Sequence, residues 1–406
     1  MAEAGRGFLK KSFASLILIV VLLSSVVVVF FFFLSSNKAV AGEDIHVGVA
    51  FCGNTTAEAR LLIDRVNNYT NLFVLQSGPV SKNETATNEI CDYATECGLD
   101  VIVYFGDLDP RILSNETDWR VAWIGSARAR WGDQILGIYY YDEPGGIYID
   151  CDWKEALRPF DHNGTYDSFV LNRNYEQAAD FFVNNIRRDP GCQLIEDNNL
   201  SKFVSDYALY WFDYLAGYDV IFAEIGWNHS MPQDIALIRG AADLQRKEWG
   251  VIIGWKYTVP PYLDSGDVIY GQMIDAYRAG AKYVVVFNYP QLDGNDYGVL
   301  KDEHFEAIEQ FWNNAVKNPS TKDSLHAEVA LVLPRNYAWG MRHPEDRIWG
   351  HWGPDEKSSG IWNLSRSLLS QYGLRLHIIY DDPNYPLGNK YTSVYYWNQT
   401  SSSFNP

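Results

Sequence analysis

Eight short runs of β-branched and aromatic residues, each followed by a stretch of helical periodicity, set the main constraint on how this chain can fold. The runs are IHVGVAF (45–51), LFVLQ (72–76), DVIVYFG (100–106), ILGIYYY (135–141), KFVSD (202–206), DVIFAEIG (219–226), GVIIGWKY (250–257) and KYVVVFNY (282–289). Between them lie amphipathic segments such as TAEARLLIDRVNN (56–68), PQDIALIRGAADLQRKE (232–248) and SGDVIYGQMIDAYRAG (265–280), with apolar residues at i, i+3 and i+4. The strand runs are nearly continuous in apolar character, as a parallel sheet covered on both faces requires. Eight strand–helix units over roughly 250 residues predict a (β/α)8 TIM barrel. A doubly wound open sheet is the alternative, because KFVSD is a short fifth strand.

The barrel is expected over 42–318. The segment 147–200 reads as an insertion after the fourth strand and holds one helix, NYEQAADFFVNNIRR (174–188). A polar linker, KNPSTKDSL (317–325), leads to a smaller C-terminal α/β domain over 326–406. Its strands are AEVALVLP (327–334), LRLHIIYDD (374–382) and SVYYWN (393–398), with a helix at 358–373 that stops on Gly373.

The N-terminus carries a different signal. Residues 13–34 contain no charge, and about 20 apolar residues suffice to span a bilayer as a helix. Arg6, Lys10 and Lys11 precede that run and an acidic chain follows it, so the positive-inside tendency places the rest of the protein outside the cytoplasm. Ala39-Val40-Ala41 has the form of a signal-peptidase site, which makes a cleaved signal peptide the rival of an uncleaved anchor in residues 1–41. Nine Asn-x-Ser/Thr sequons, at Asn54, Asn68, Asn83, Asn115, Asn163, Asn199, Asn228, Asn363 and Asn398, agree with an extracytoplasmic location. Five cysteines suggest one or two disulfides, with Cys91–Cys97 and Cys151–Cys192 the pairs nearest in sequence. The net charge of −18 argues against a nucleic-acid partner, and no CxxC or Cys/His cluster suggests a zinc site.

In a barrel, chemistry sits where the strands end. Those positions give Asp107, Asp142 with Glu143, Ser205 with Asp206, Glu224 followed by Trp227 and His229, Trp255 with Lys256 and Tyr257, and Asn288 with Tyr289. The set is rich in carboxylates and aromatic rings. It contains no Gly-rich phosphate loop and no nucleophile elbow, and it calls for no cofactor and no metal. Paired carboxylates serve glycoside hydrolysis, one protonating the leaving oxygen and the other attacking or activating water. Tyr and Trp rings offer flat faces with polar edges that suit a sugar. A carbohydrate substrate follows as the expected partner, with the membrane as a second partner through the N-terminal helix. The catalytic candidates are Glu143, Glu224 and Asp142. The candidates for substrate contact are Tyr141, Asp206, Trp227, His229, Trp255, Lys256, Tyr257 and Asn288.

The run YYYDEP (139–144) resembles the Asn-Glu-Pro signature of the large clan of (β/α)8 retaining glycoside hydrolases. By that resemblance Glu143 is the acid/base, with Asp142 in place of the helper Asn. The segments SDYALYWFDYLAGYDVIFAEIGWNHS, GWKYTVPPYLDSG and AKYVVVFNYP also resemble surface-anchored, glycosidase-like barrel proteins of archaea. The clan places its nucleophile at the end of strand seven, where this chain has GWKYT and no carboxylate. Glu224 on strand six is the nearest candidate. A further option uses Asp142 and Glu143 together with a substrate N-acetyl group as nucleophile.

Structural roles compete at each position. Asp142-Glu143 also reads as a strand-end turn. Glu224 could belong to a salt bridge with Lys256 or Arg239, Asp206 could cap the helix at 207–217, and Trp255 or Tyr257 could be core. The aromatic- and Arg-rich run 334–356 reads as domain packing rather than a cover for the mouth. The functional expectation is an extracytoplasmic, membrane-anchored glycoside hydrolase. Its rival is a non-catalytic carbohydrate-binding or cell-surface structural protein on the same barrel.

Overall fold

In the computed structural model, which describes residues 45–106, 108, 118–151, 172–290, 294–318 and 325–399, eight parallel strands close into a barrel in chain order. They are β1 (His46–Phe51), β2 (Leu72–Leu75), β3 (Asp100–Gly106), β4 (Ile135–Tyr140), β5 (Ser201–Asp206), β6 (Val220–Ile225), β7 (Glu248–Ile253) and β8 (Tyr283–Asn288). β8 returns to pair with β1 from His46↔Tyr283 to Phe51↔Asn288, which closes the ring and removes the open-sheet alternative.

Three helix boundaries show why the connections fold as they do. Helix α1 (Thr56–Val66) begins in a capping box, with the Thr55 hydroxyl accepting from the Glu58 N–H and the Glu58 carboxylate accepting from the Thr55 N–H. Helix α2 (Glu84–Glu96) is capped by Asn83 and helix α3 (Trp119–Trp131) by Asp118. The region after β4 contains helices α4 (Pro144–Asp150), α5 (Tyr175–Arg187) and α6 (Pro190–Asp197). Helices α7 (Tyr210–Ala216), α8 (Met231–Gln245), α9 (Gly266–Arg278) and α10 (Asp302–Phe311) follow the later strands.

The barrel interior is a core of its own. Ala50, Val74, Ile102, Tyr139, Phe203, Phe222, Ile252 and Val285 fill it, and the strand residues between them face the helices. Side chains alternate along a strand, so the position two residues beyond each interior residue also points inward. That parity decides which strand-end residues reach the mouth.

After the barrel, β9 (Val329–Leu333), helix α11 (Ser358–Tyr372), β10 (Leu376–Tyr380) and β11 (Ser393–Tyr396) form a three-stranded parallel sheet in the order β10-β9-β11. It packs against α8. Gly240 lies so close to β10 that a Cβ there would stand 2.7 Å from Ile379 and 3.0 Å from the Ile378 carbonyl. Buried Arg239 donates from Nε to His377 Nε2 and from its terminal nitrogens to the carbonyls of Ala279, Leu325, Leu374 and Leu376. The run 334–356 packs on the region after β4, with Tyr148 edge-on to Trp349 and Tyr175 against Trp352.

Several expectations change. All five cysteines are unpaired. Cys91 lies on α2 and Cys97, six residues on, is its C-cap, which places them on different sides of the helix axis, and Cys91 is buried beneath it. Strand four ends at Tyr140 rather than Tyr141. Strand seven begins at Glu248 and ends at Ile253, so Trp255, Lys256 and Tyr257 belong to the loop beyond it. The apolar run 13–34, Asp107, Asn115 and Asn163 lie outside the described residues. No helix among those described is long and apolar enough to cross a membrane. The asparagines of the seven other sequons are all exposed.

Candidate active site

The barrel mouth opens into a cavity of about 430 Å³. Its floor follows from strand parity: Cys52, Gln76, Tyr104, Ser205, Glu224, Gly254 and Phe287 each stand two residues beyond an interior core residue, and all line it. Asp142, Glu143, Trp227, Trp255 and Tyr289 join them from the loops. No Lys, Arg or His occurs among the described residues of this lining.

The two adjacent acids reach the cavity together because the strand stops before them. Tyr141 adopts φ 63° and Glu143 φ 48°, so the chain reverses twice across three residues. Left-handed backbone costs a non-glycine residue about 1 kcal/mol or more. The neighbours that hold it are clear. The Glu143 N–H donates to the Ser205 carbonyl at 3.1 Å. Buried Asp206 accepts from the N–H groups of Gly145, Gly146, Tyr207 and Ala208 at 2.5, 2.8, 2.7 and 3.0 Å. A Cβ on Gly146 would lie 2.2 Å from the Tyr207 ring, and one on Gly145 would lie 2.7 Å from Leu209. The Pro-Gly-Gly that follows the acids is therefore the surface on which the β5 loop rests.

Three carboxyl groups converge. Glu143 and Glu224 meet carboxyl to carboxyl within hydrogen-bonding reach. The Ser205 hydroxyl is 2.5 Å from Glu224 Oε1, the Tyr139 hydroxyl is 2.6 Å from Ser205 Oγ, and Tyr139 is also 2.6 Å from Asp142 Oδ1. Gln76 Nε2 donates to Tyr139 at 3.2 Å. Burial pushes Glu143 up, with the Asp142 charge adding to it. Burial and then the Glu143 charge push Glu224 well above the usual carboxylate range. Burial also raises Asp142, against the Tyr139 hydrogen bond. Acids pushed upward at one place can hold protons near neutral pH, which proton donation to a leaving group requires.

The opposite wall is aromatic. Trp227 stacks on Trp255 with centroids 6.5 Å apart, and Trp255 meets Tyr289 at 5.3 Å. Trp227 is 40% exposed. It is held at φ 42° by its N–H bond to the Trp255 carbonyl.

Of the expected residues, the structure brings Asp142, Glu143, Glu224, Trp227 and Trp255 into this cavity. It moves six others away. Tyr141 turns outward to donate to Asp189 Oδ2 at 2.8 Å, beside Tyr140 on Oδ1 at 2.6 Å. Asp206 and Asn288 have outward strand parity; Asp206 is the fully buried tie described above, and Asn288 accepts from the Val299 N–H at 3.2 Å. His229 packs on the Tyr207 ring at 5.8 Å, where burial lowers its pKa. Lys256 and Tyr257 lie on a loop pinned by backbone bonds to the Tyr262 carbonyl at 2.7 and 3.0 Å, outside the lining. Glu224 pairs with neither Lys256 nor Arg239. Tyr139, Gln76 and Tyr104 are the residues that strand-end reading passes over, and Ser205 is named there beside Asp206 without a role. Interior parity, counted from the apolar core positions, finds Ser205, Gln76 and Tyr104.

No protein-family model and no curated protein sequence matches the chain. Solved structures match at low identity. A family 1 β-glucosidase from Thermotoga maritima is 12% identical, with TM-score 0.41 over 67% of this chain and 98% of that one. A GH99 endo-α-mannosidase from Bacteriodes thetaiotaomicron is 10% identical, with TM-score 0.40 over 68% and 99%. The spore coat polysaccharide biosynthesis protein spsE from Bacillus subtilis is 11% identical, with TM-score 0.39 over 70% and 73%. Matches this distant assign no activity to this chain.

Proposed function

We propose that this protein is a glycoside hydrolase in which Glu143 is the general acid/base and Glu224 the second carboxylate. The observation that carries the reading is the contact between these two acids on the floor of an open cavity, facing a wall of Trp227, Trp255 and Tyr289. Carboxyls in contact lie nearer to the roughly 5–5.5 Å spacing of double displacement than to the roughly 6.5–9.5 Å of an inverting pair, so the two acids need part only slightly to admit an anomeric carbon between them. In that chemistry Glu224 attacks the anomeric carbon while Glu143 gives its proton to the glycosidic oxygen. Glu143 then takes a proton from the water that releases the sugar. Asp142, engaged by Tyr139, stands behind the pair, which favours this assignment over the substrate-assisted one.

The proposal extends to location. The uncharged run 13–34 and the sequons support an extracytoplasmic domain held by an N-terminal anchor, or secreted if that segment is removed. The full-length protein is to be assayed against a panel of oligosaccharides and aryl glycosides. Glu143→Gln is expected to lower turnover on a cleaved substrate by on the order of 10²–10⁴-fold; unchanged turnover would sink the assignment.

One observation favours a second reading. Strand seven delivers Gly254 and Trp255 to the cavity and no acid, which would also suit a barrel that binds a glycan without cutting it. Glycan binding by wild type and by Glu143→Gln alike, with no turnover anywhere on the panel, is the outcome for that reading.

A further inference from the structure

Five side chains form one unbroken chain of hydrogen bonds: Asp142, Tyr139, Ser205, Glu224 and Glu143. The chain has four contacts, at 2.6, 2.6 and 2.5 Å for the first three, with the carboxyl–carboxyl contact of Glu224 and Glu143 as the fourth. Every contact needs one proton between its two oxygens, because two bare oxygens at such distances repel. The hydroxyls of Tyr139 and Ser205 supply one proton each. The other two must come from the carboxyls.

We infer that Asp142, Glu143 and Glu224 hold two protons and one negative charge among them, and that Tyr139 and Ser205 are positioning residues forming a hydroxyl wire along which that charge moves. Three arrangements satisfy all four contacts. With Glu224 ionised, Asp142 donates to Tyr139, Tyr139 to Ser205, Ser205 to Glu224, and Glu143 to Glu224. With Asp142 ionised, the first three bonds run in reverse, and Glu224 donates to Ser205. With Glu143 ionised, Glu224 donates to Glu143 while the wire runs from Asp142. The first two interconvert when three protons shift together: Asp142 to Tyr139, Tyr139 to Ser205, and Ser205 to Glu224. No bond other than O–H is made or broken, and the cluster's charge does not change.

Burial and the Glu143 charge favour the proton on Glu224, as in the second arrangement, and the reverse shift along the wire passes it toward Asp142 to give the first arrangement, with the charged Glu224 and protonated Glu143 that a double displacement starts from. Asp142 keeps it in place by holding the second proton at the far end of the wire. The Tyr139 oxygen then accepts from both Asp142 and Gln76 and donates once, which uses its full capacity. This assignment deepens the hydrolase reading of the same site, but it concerns the resting protein.

Its test therefore uses no substrate. Protonated carboxyls of the full-length protein are counted near neutral pH from their C=O stretch, by infrared difference against the triple variant Asp142→Asn, Glu143→Gln, Glu224→Gln. Buried acids elsewhere cancel in that difference. Wild type is expected to show two. Ser205→Ala breaks the wire into two separate contacts, which one carboxyl proton and the Tyr139 proton satisfy, so it is expected to show one; Ser205→Thr restores two. If the triple variant does not fold, the wild type minus Ser205→Ala difference alone should show one lost band. A wild-type count of one or none, or a Ser205→Ala spectrum identical to wild type, overturns the inference. Failure to find a cleaved glycan would count against the hydrolase reading and leave this proton count standing.

Discussion

At the scale of single residues, the site is decided by where side chains point. Glu143 and Glu224 are legible in the sequence as strand-end acids, and the apolar surroundings of Glu224 mark it as unusual. Tyr141, Asp206 and Asn288 look equally placed by position but turn away, for two reasons. Alternation sends Asp206 and Asn288 outward, and Tyr141, itself left-handed, leaves β4 at Tyr140 instead of following Tyr139 inward. A linear reading cannot see that reversal, because it depends on Asp206 gathering N–H groups from two loops. At the aromatic wall, Trp227 holds the exposed position while Trp255 is half-buried behind it. Trp227→Ala is expected to raise KM by about tenfold with kcat changed far less, since stacking contributes on the order of 1 kcal/mol and acts on the bound sugar rather than on bond cleavage. Steady-state kinetics on a cleaved glycoside checks the split.

At the scale of elements, the strand and helix pattern was largely readable because each strand is a buried apolar run with a clear break, and even the short KFVSD pairs on both sides, with β4 and with β6. What the pattern could not show is how closely the β4 and β5 loops pack. Gly146→Ala would drive a methyl group into the Tyr207 ring, moving the loop that carries Glu143. A loss of about 1–3 kcal/mol in stability is expected, with a fall in kcat larger than for exposed glycines such as Gly271. Beneath these loops lies a second acid pair. Asp213 is fully buried, its carboxyl meets that of Asp206, and burial raises it far above the usual carboxylate range. Only a protonated Asp213 can donate to Asp206. An acid whose folded pKa is raised gives stability that is complete below its unfolded value, about 4, and is lost as pH rises toward the folded value. Between about pH 5 and about pH 7 the wild type should thus lose stability relative to Asp213→Asn, whose amide donates without titrating, at about 1.4 kcal/mol per pH unit. Denaturant titrations across that range measure the difference. Parallel curves would show that Asp213 is ionised in the folded protein.

At the scale of the whole molecule, residues 45–406 form one compact unit in which the C-terminal sheet is joined to the barrel through Gly240 and Arg239. The expected split into strands, helices and a following α/β unit came from periodicity alone. The joint did not, because a buried Arg on an amphipathic helix gives no sign of its five distant acceptors. Among the exposed sequon asparagines, Asn54 lines the cavity, so a glycan there would stand at the mouth. The pairing of Glu143 with Glu224 is the claim on which the functional account depends. Its most direct test is the turnover of Glu224→Ala on an aryl glycoside that wild type cleaves, with and without azide. Near-complete loss of hydrolysis is expected, with cleavage of the aryl glycoside restored in part by azide as a glycosyl azide of inverted configuration, because the small anion occupies the space of the missing carboxylate. Hydrolysis by Glu224→Ala at the wild-type rate without azide would contradict it.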